Sequence, residues 1–111
     1  MLQIQIGPRK DIAADDELGR SFIGWFPGMT EAEAWEVSRG VWKFKADRAL
    51  EEHEAQIVNT EGTVLAVARI TGISKCEGGR YALEGELLAG DPRVGQLTPT
   101  PHPSRNPVAY V

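Results

Sequence analysis

Trp42 lies between two cationic side chains, Arg39 and Lys43, in the segment of residues 38–44. An aromatic ring can stack on a nucleobase, and a neighbouring cation can neutralise the adjoining phosphate. These residue types therefore predict a binding site for a base-bearing ligand. Two other interpretations stay open. Trp42 can fill the core of the domain, and Arg39 with Gly40 can form the carboxyl-terminal cap of a helix, with Gly40 in a left-handed conformation.

Three further residues could contribute to such a site. Asn106 carries a paired donor and acceptor that suits the edge of a base, and Arg105 adds a cation beside it. The alternative for this pair is an Asx-type turn over residues 104–107 that leads into a strand. Trp25 belongs to the aromatic segment Phe22–Phe26, which is followed by a Pro-Gly turn. That segment can form an exposed platform or pack inside the domain.

Catalytic and metal-binding chemistry have weaker support in the sequence. His53 and His102 are far apart, and neither has a carboxylate at ligand spacing, so we expect no metal site and no cofactor. Cys76 follows Lys75 without any catalytic context, and we expect a free thiol that has no role. Residues 15–17 form a run of acids that we expect on the solvated surface. No phosphate loop or nucleophile motif is present.

Charge is unevenly distributed along a chain that is acidic overall. The net charge is −4 and the isoelectric point is about 5.1, so we expect no strong non-specific binding to duplex nucleic acid. A glutamate-rich stretch over residues 31–36 is followed at once by a basic stretch. The basic residues are Arg39, Lys43, Lys45 and Arg48. A local basic face and a solvated surface of alternating charge both fit this pattern.

Size and composition predict one ordinary globular domain over residues 1–111. Hydrophobic residues make up 41% of the chain, which separates it from disordered segments. The apolar runs are too short to cross a bilayer, and no signal-peptide pattern opens the sequence. A single cysteine excludes a disulfide-stapled mini-protein and a zinc finger. We therefore expect a cytoplasmic domain without a membrane partner.

Two short helices are predicted. Thr30 and Glu33 have the spacing of a capping box, which predicts a helix over residues 31–38 that ends near Gly40. Residues 46–53 favour a second helix. Its expected inward-facing residues are Ala49 and Leu50.

The remaining chain has the pattern of β-structure. Residues 1–6 alternate apolar and polar side chains, which predicts a half-buried strand. Further strands are predicted at 41–44, 55–59, 63–73, 80–88 and 108–111. The run 63–73 is apolar on both faces, as a central strand would be. The predicted class is α+β, with a small, strongly bent mixed sheet or barrel and two short helices. An open sheet with one helical layer is the structural alternative.

The order of these segments resembles the PUA-like barrel domains, the group that includes the EVE and ASCH domains, and especially small versions found beside bacterial nucleases. The resemblance rests on the R-G-x-W-K pattern at 39–43, the helix and hairpin that follow, Arg80-Tyr81, and the closing N-P-x-x-Y-V at 106–111. It covers residues 31–111. The G-x-K-x-x-E-x-R pattern of many ASCH domains is incomplete, because no glutamate follows Lys43 at the matching step.

The resemblance implies binding of RNA or of a modified base in a pocket at the barrel's rim. The function expected from it is a non-catalytic module that binds nucleic acid or a modified nucleotide, as an accessory to a nuclease or a phage-defence system. The expected ligand-binding residues are Arg39, Trp42, Lys43, Asn106, Arg105 and Trp25. Two alternatives remain: a protein–protein adaptor that docks through Phe22–Phe26, and a small hydrolase of a modified nucleoside.

Overall fold

A computed structural model describes residues 1–13 and 15–111 and shows a five-stranded sheet, a two-stranded ribbon and two helices. The strands are β1 (Leu2–Gln5), β2 (Lys10–Asp11), β3 (Phe22–Ile23), β4 (Glu54–Val58), β5 (Val64–Lys75), β6 (Tyr81–Leu87) and β7 (Val108–Tyr110). The α-helices are α1 (Glu31–Ser38) and α2 (Ala46–Leu50), and a 3₁₀ turn covers Glu77–Gly79. None of the helices in these two ranges is long and apolar enough to cross a bilayer.

The main sheet has the order β6-β5-β4-β1-β7. β1 is parallel to β4, whereas the other neighbours are antiparallel, so the predicted mixed sheet with two short helices is confirmed. β5 lies inside the sheet, as its apolar faces predict. The strands described here do not close into a barrel, because β6 and β7 remain its two edges. β2 and β3 pair separately as a ribbon.

Helix α1 has the boundaries and the amino-terminal cap that the sequence predicts. The Thr30 hydroxyl accepts a hydrogen bond from the Glu33 amide at 3.1 Å, and the Glu33 carboxylate accepts one from the Thr30 amide at 3.0 Å. These two bonds satisfy amides that a helix start leaves without partners. Ala34 and Trp35 are buried and fix the helix to the sheet.

The other end of α1 is held by an ion pair that the sequence analysis missed. The Arg20 guanidinium donates two hydrogen bonds to the Asp16 carboxylate, both at 2.9 Å, and also donates to the carbonyls of Val37 and Gly40. The side chains of Asp16 and Arg20 are only 11% and 8% exposed. The expectation that residues 15–17 are solvated is therefore wrong for Asp16, whose pKa the Arg20 hydrogen bonds lower to about 2.

Gly40 is required for a different reason from the predicted one. It is not among the glycines with positive φ, so the left-handed cap is wrong. A Cβ at this position would lie 2.6 Å from the Ala82 Cβ, so Gly40 allows the chain after α1 to approach β6 closely. Within the predicted strand 41–44 only Trp42 pairs, through a bridge to Tyr81.

Helix α2 is shorter than expected and has one misassigned side chain. It ends at Leu50 rather than at residue 53. Ala49 is fully buried, as predicted, but Leu50 is 57% exposed, so its expected inward position is wrong. A helix of five residues presents a single narrow stripe to the sheet, and Ala49 occupies it.

The two faces of the main sheet are both covered. Helices α1 and α2 cover an apolar face whose central pairs are Leu2 with Ala55 and Ile4 with Ile57. The opposite face carries Gln3 beside Gln56, and residues 88–107 cover it; we call these residues the covering segment. The covering segment contains neither helix nor strand. Gln3 is therefore buried, although the alternation of apolar and polar residues in β1 predicts that it is exposed.

Candidate functional site

The two edges of the main sheet contribute the walls of one open cleft of about 630 Å³, which we call the basic cleft. Residues 42–45 form one wall, and the Trp42–Tyr81 bridge attaches that wall to the β6 edge. Residues 106–108 and Tyr110 form the other wall, on and beside the β7 edge. Residues 42–45 and residues 106–110, which are distant in sequence, thus lie on opposite sides of one cleft.

The basic cleft is lined by four cationic side chains and by no acidic one. Lys43, Lys45 and Arg80 are exposed, and within the described ranges they form no ion pair. Arg48 differs, because it pairs with Glu52 at 3.1 Å and lies over the Tyr110 ring at 4.3 Å. Three of the four cations are therefore available to an anionic ligand.

Aromatic rings come from both walls of the basic cleft. Trp42 is half-buried, and its indole N–H donates to the Ser38 carbonyl at 2.7 Å, so the ring packs against the core and also lines the cleft. Phe44 contacts Tyr81, with ring centroids 5.5 Å apart. On the other wall, the Tyr110 hydroxyl is buried without a hydrogen-bond partner among the residues described, and burial raises its pKa.

Asn106 lines the basic cleft from the segment that precedes β7. The residue is exposed, and its amide forms no hydrogen bond to any residue that the structure describes. Its backbone is fixed on both sides: the N–H donates to the Ser104 hydroxyl at 3.2 Å, and the carbonyl accepts from His102 Nε2 at 2.6 Å. The predicted turn is thus held by a serine hydroxyl, and the Asn106 amide remains free for a ligand.

A buried polar network holds this turn in place. Because a carbonyl can only accept, His102 carries its proton on Nε2, and its Nδ1 accepts from the Gln3 amide at 3.1 Å. Gln3 Oε1 accepts in turn from Gln56 Nε2 at 2.6 Å, and Gln56 also donates to Thr98 at 2.9 Å. The network therefore connects the centre of the sheet to the wall that carries Asn106.

The structure brings together three of the six predicted ligand-binding residues: Trp42, Lys43 and Asn106. Arg39 does not line the cleft. Its side chain is only 17% exposed, donates to the Leu83 carbonyl and forms ion pairs with Glu36 and Glu84. Arg105 is exposed beside the cleft but is not part of its lining.

Trp25, the last of the predicted residues, packs against the core, and its backbone pairs with Gly7. The aromatic segment around it is largely occupied by its own contacts. Phe22 and Phe26 meet edge to face at 5.7 Å, and the Arg9 guanidinium lies 4.5 Å from the Phe22 ring centroid.

Among the cationic and aromatic residues that line the basic cleft, five were not predicted as ligand-binding: Phe44, Lys45, Arg48, Arg80 and Tyr110. The basic stretch that begins at Arg39 was a signal for Lys45 and Arg48, but nothing in the sequence indicates that Arg80 joins them. That proximity follows from the Trp42–Tyr81 bridge, which brings the start of β6 to the segment after α1.

The basic cleft combines charge, flat apolar surface and one free amide, which suits binding of an anionic ligand that has an aromatic part. Its lining contains no carboxylate that could act as a general base. In the described ranges, no three His, Cys, Asp or Glu side chains come together to hold a metal ion. Cys76 is buried, which raises its pKa. Comparison with models of protein families, with curated proteins and with solved structures finds no match to this chain.

Proposed function

We propose that this domain binds nucleic acid or a nucleotide in the basic cleft, without catalysing a reaction. The observation that carries the proposal is the segregation of charge: the cleft has four cations and no acid on a chain whose net charge is −4. A local positive field can attract phosphates even when the whole protein is acidic. An acidic protein or peptide is a less suitable ligand, because the flat ring of a nucleobase makes better use of Trp42 and Tyr110 together.

The proposed roles follow the positions of the side chains. Lys43 and Arg80 neutralise phosphates, since both are exposed and unpaired within the described residues. The phosphate role predicted for Arg39 passes to them, because the Arg39 guanidinium already has partners. Trp42 offers a ring for stacking, which is worth about 1–3 kcal/mol per base. Asn106 reads the edge of the base through its free amide.

The resemblance to PUA-like domains supports the same proposal, since those domains bind RNA or modified bases at a barrel's rim. The basic cleft lies between the two edges of a sheet that stays open. A PUA-like ancestry of this sheet is part of the proposal. A role beside a nuclease or in phage defence is an extension of it.

The first experiment measures binding of fluorescein-labelled oligonucleotides, modified and unmodified, by anisotropy at low salt. Lys43→Ala and Arg80→Ala should each weaken binding to all sequences alike and reduce the salt slope by about 0.7, the value for one phosphate of a single strand. Arg69→Ala is the matched control, because Arg69 is exposed, pairs with Glu86 and lines no part of the cleft. Absence of binding by every oligonucleotide would refute the proposal and leave the adaptor hypothesis.

The second experiment separates recognition of the base from attraction to phosphate. Asn106→Ala should reduce discrimination between bases or modifications while leaving the salt slope unchanged. Ser104→Ala is a useful companion variant. It removes the hydroxyl that accepts from the backbone N–H of Asn106 but keeps the Asn106 side chain. A uniform loss of affinity in Asn106→Ala, with discrimination intact, would contradict the assigned role.

A further inference from the structure

A second, smaller hollow of about 230 Å³ adjoins the basic cleft. Both linings include Trp42 and Pro107, so the two hollows are neighbours that share a wall. The second hollow reaches the β2–β3 ribbon, where Lys10, Ile23 and Gly24 line it. Concave surface therefore continues past Trp42 on the side away from Lys43.

Unpaired cations occur on both sides of this shared wall. Lys43, Lys45 and Arg80 lie in the basic cleft, and Lys10 lies in the second hollow. Lys10 is exposed and has no ion-pair partner in the part of the chain that the structure describes. Trp42 and Pro107, which line both hollows, lie between the two sets of cations.

From this arrangement we infer that the ligand is a single strand of several nucleotides that crosses the Trp42–Pro107 wall, rather than one nucleotide or a duplex. The inference rests on the proposed function and specifies its substrate class. A strand has phosphates at regular intervals, so it can contact Lys43 on one side of the wall and Lys10 on the other. Its bases can stack on Trp42, the aromatic ring that both hollows share.

The concave shape argues against a duplex. Readout of a duplex groove uses an element that projects into it, an α-helix or a two-stranded ribbon. Here the cations line a concave surface between two sheet edges rather than an element that projects from the molecule. A flexible single strand can enter such a hollow.

The test is a length series of one sequence: mononucleotide, dinucleotide, hexanucleotide, and the hexanucleotide as a duplex, in DNA and in RNA. The hexanucleotide should bind most tightly, with a salt slope about 0.7 steeper than that of the dinucleotide for each additional phosphate contact. Lys10→Ala should remove one such increment from the hexanucleotide and leave the dinucleotide unchanged. Lys43→Ala should weaken binding of both.

Lys75→Ala is the matched control, because Lys75 is exposed and lines neither hollow. All three lysines are exposed, so the variants should melt like the parent protein. If the mononucleotide binds as tightly as the hexanucleotide, or if Lys10→Ala has no effect while Lys43→Ala weakens binding, the inference is wrong and the proposed function stands. Tighter binding of the duplex would also overturn the inference. If no oligonucleotide binds, both fail.

Discussion

The two faces of the main sheet are stabilised by different proportions of apolar burial and hydrogen bonding. On one face, α1 and α2 bury apolar side chains such as Leu2, Ile4 and Ile57. On the other face, which we call the polar face, the nearly completely buried Gln3 and Gln56 bond to the covering segment or to each other. Backbone hydrogen bonds to β5 and a smaller apolar cluster, in which Leu88 and Val94 pack against Val58, Val64 and Val67, also attach the covering segment there. Apolar burial is strong but has no direction, whereas a hydrogen bond fixes the positions of both partners.

This difference indicates which face positions the ligand site. The covering segment has no helix or strand of its own. Backbone hydrogen bonds to β5 hold its first half, and the part that leads to the cleft is joined to the sheet by side-chain hydrogen bonds. The chain of bonds runs from Gln56 through Gln3 and His102 to the carbonyl of Asn106, a residue of the basic cleft. We therefore expect the packing of the helix face to contribute most to stability, and the buried amides of the polar face to contribute most to the geometry of the cleft.

The largest effect should come from the helix face. Ile57→Ala should destabilise the protein by about 2–5 kcal/mol, because it removes buried methylene and methyl groups and leaves a cavity. The free energy of unfolding is measured by urea denaturation. Leu50→Ala is the control, since Leu50 is 57% exposed and should cost less than about 0.5 kcal/mol. Equal losses in the two variants would show that Ile57 is not part of a tightly packed core.

Substitutions on the polar face should cost less stability than Ile57→Ala, and the effects of substitutions at Gln3 and Gln56 should be coupled. Gln56→Met should cost about 1–3 kcal/mol, because the buried Gln3 carbonyl oxygen loses its closest donor. The double variant Gln3→Met/Gln56→Met should recover part of this loss, since it also removes the buried Gln3 Oε1 that the single variant leaves without its closest donor. The recovery should be incomplete, because His102 Nδ1 then loses the Gln3 amide. Additive losses in the double-mutant cycle would contradict the proposed network.

Acid should weaken the helix face through Asp16. Its pKa in the folded protein is about 2, below the ordinary value of 3.8, so the ionised carboxylate stabilises the fold above about pH 4. That contribution, of the order of 2 kcal/mol, should be lost as the pH falls from about 4 to about 2. Asp16→Asn should flatten this part of the stability profile, whereas Asp15→Asn, at an exposed neighbouring position, should retain it. Parallel profiles for Asp16→Asn and the parent protein would refute the assignment.

The smallest effect concerns the cap of α1. Thr30→Ala should cost about 1 kcal/mol, because the Glu33 amide loses its acceptor. Thr60→Ala, at an exposed turn position, serves as the control. An unchanged denaturation midpoint for Thr30→Ala would show that water replaces the cap without loss.

Local features of the fold could be predicted from the sequence. The Thr30–Glu33 spacing determines α1, and strand periodicity locates β4, β5, β6 and β7 to within about two residues. Burial of Gln3 could not be predicted, because alternation identifies a polar face but not the segment that later covers it. The same limit applies to the burial of Asp16. The sequence does not show that Arg20 lies at the carboxyl-terminal end of α1 and pairs there with Asp16.

The candidate site was predictable only in part, for the same reason. Trp42, Lys43 and Asn106 could be named from their chemistry, and the structure places them in one cleft. Two other features depend on how the segment after α1 lies against β6. They are the hydrogen bond from Arg39 to the Leu83 carbonyl and the position of Arg80 in the cleft. Such contacts between distant segments leave no periodicity or local spacing in the sequence.

The pairing of β1 with β7 also has a consequence for folding kinetics. Leu2 lies opposite Tyr110, so this pairing closes a loop of almost the whole chain. Loop-closure entropy must be overcome before such contacts contribute, so we expect them to form after the local β5–β6 hairpin. Because Tyr110 and residues 106–108 form one wall of the basic cleft, the cleft should be among the last features to form. Ligand binding should therefore lag behind the recovery of secondary structure during refolding, and a partly folded chain would have no site to offer.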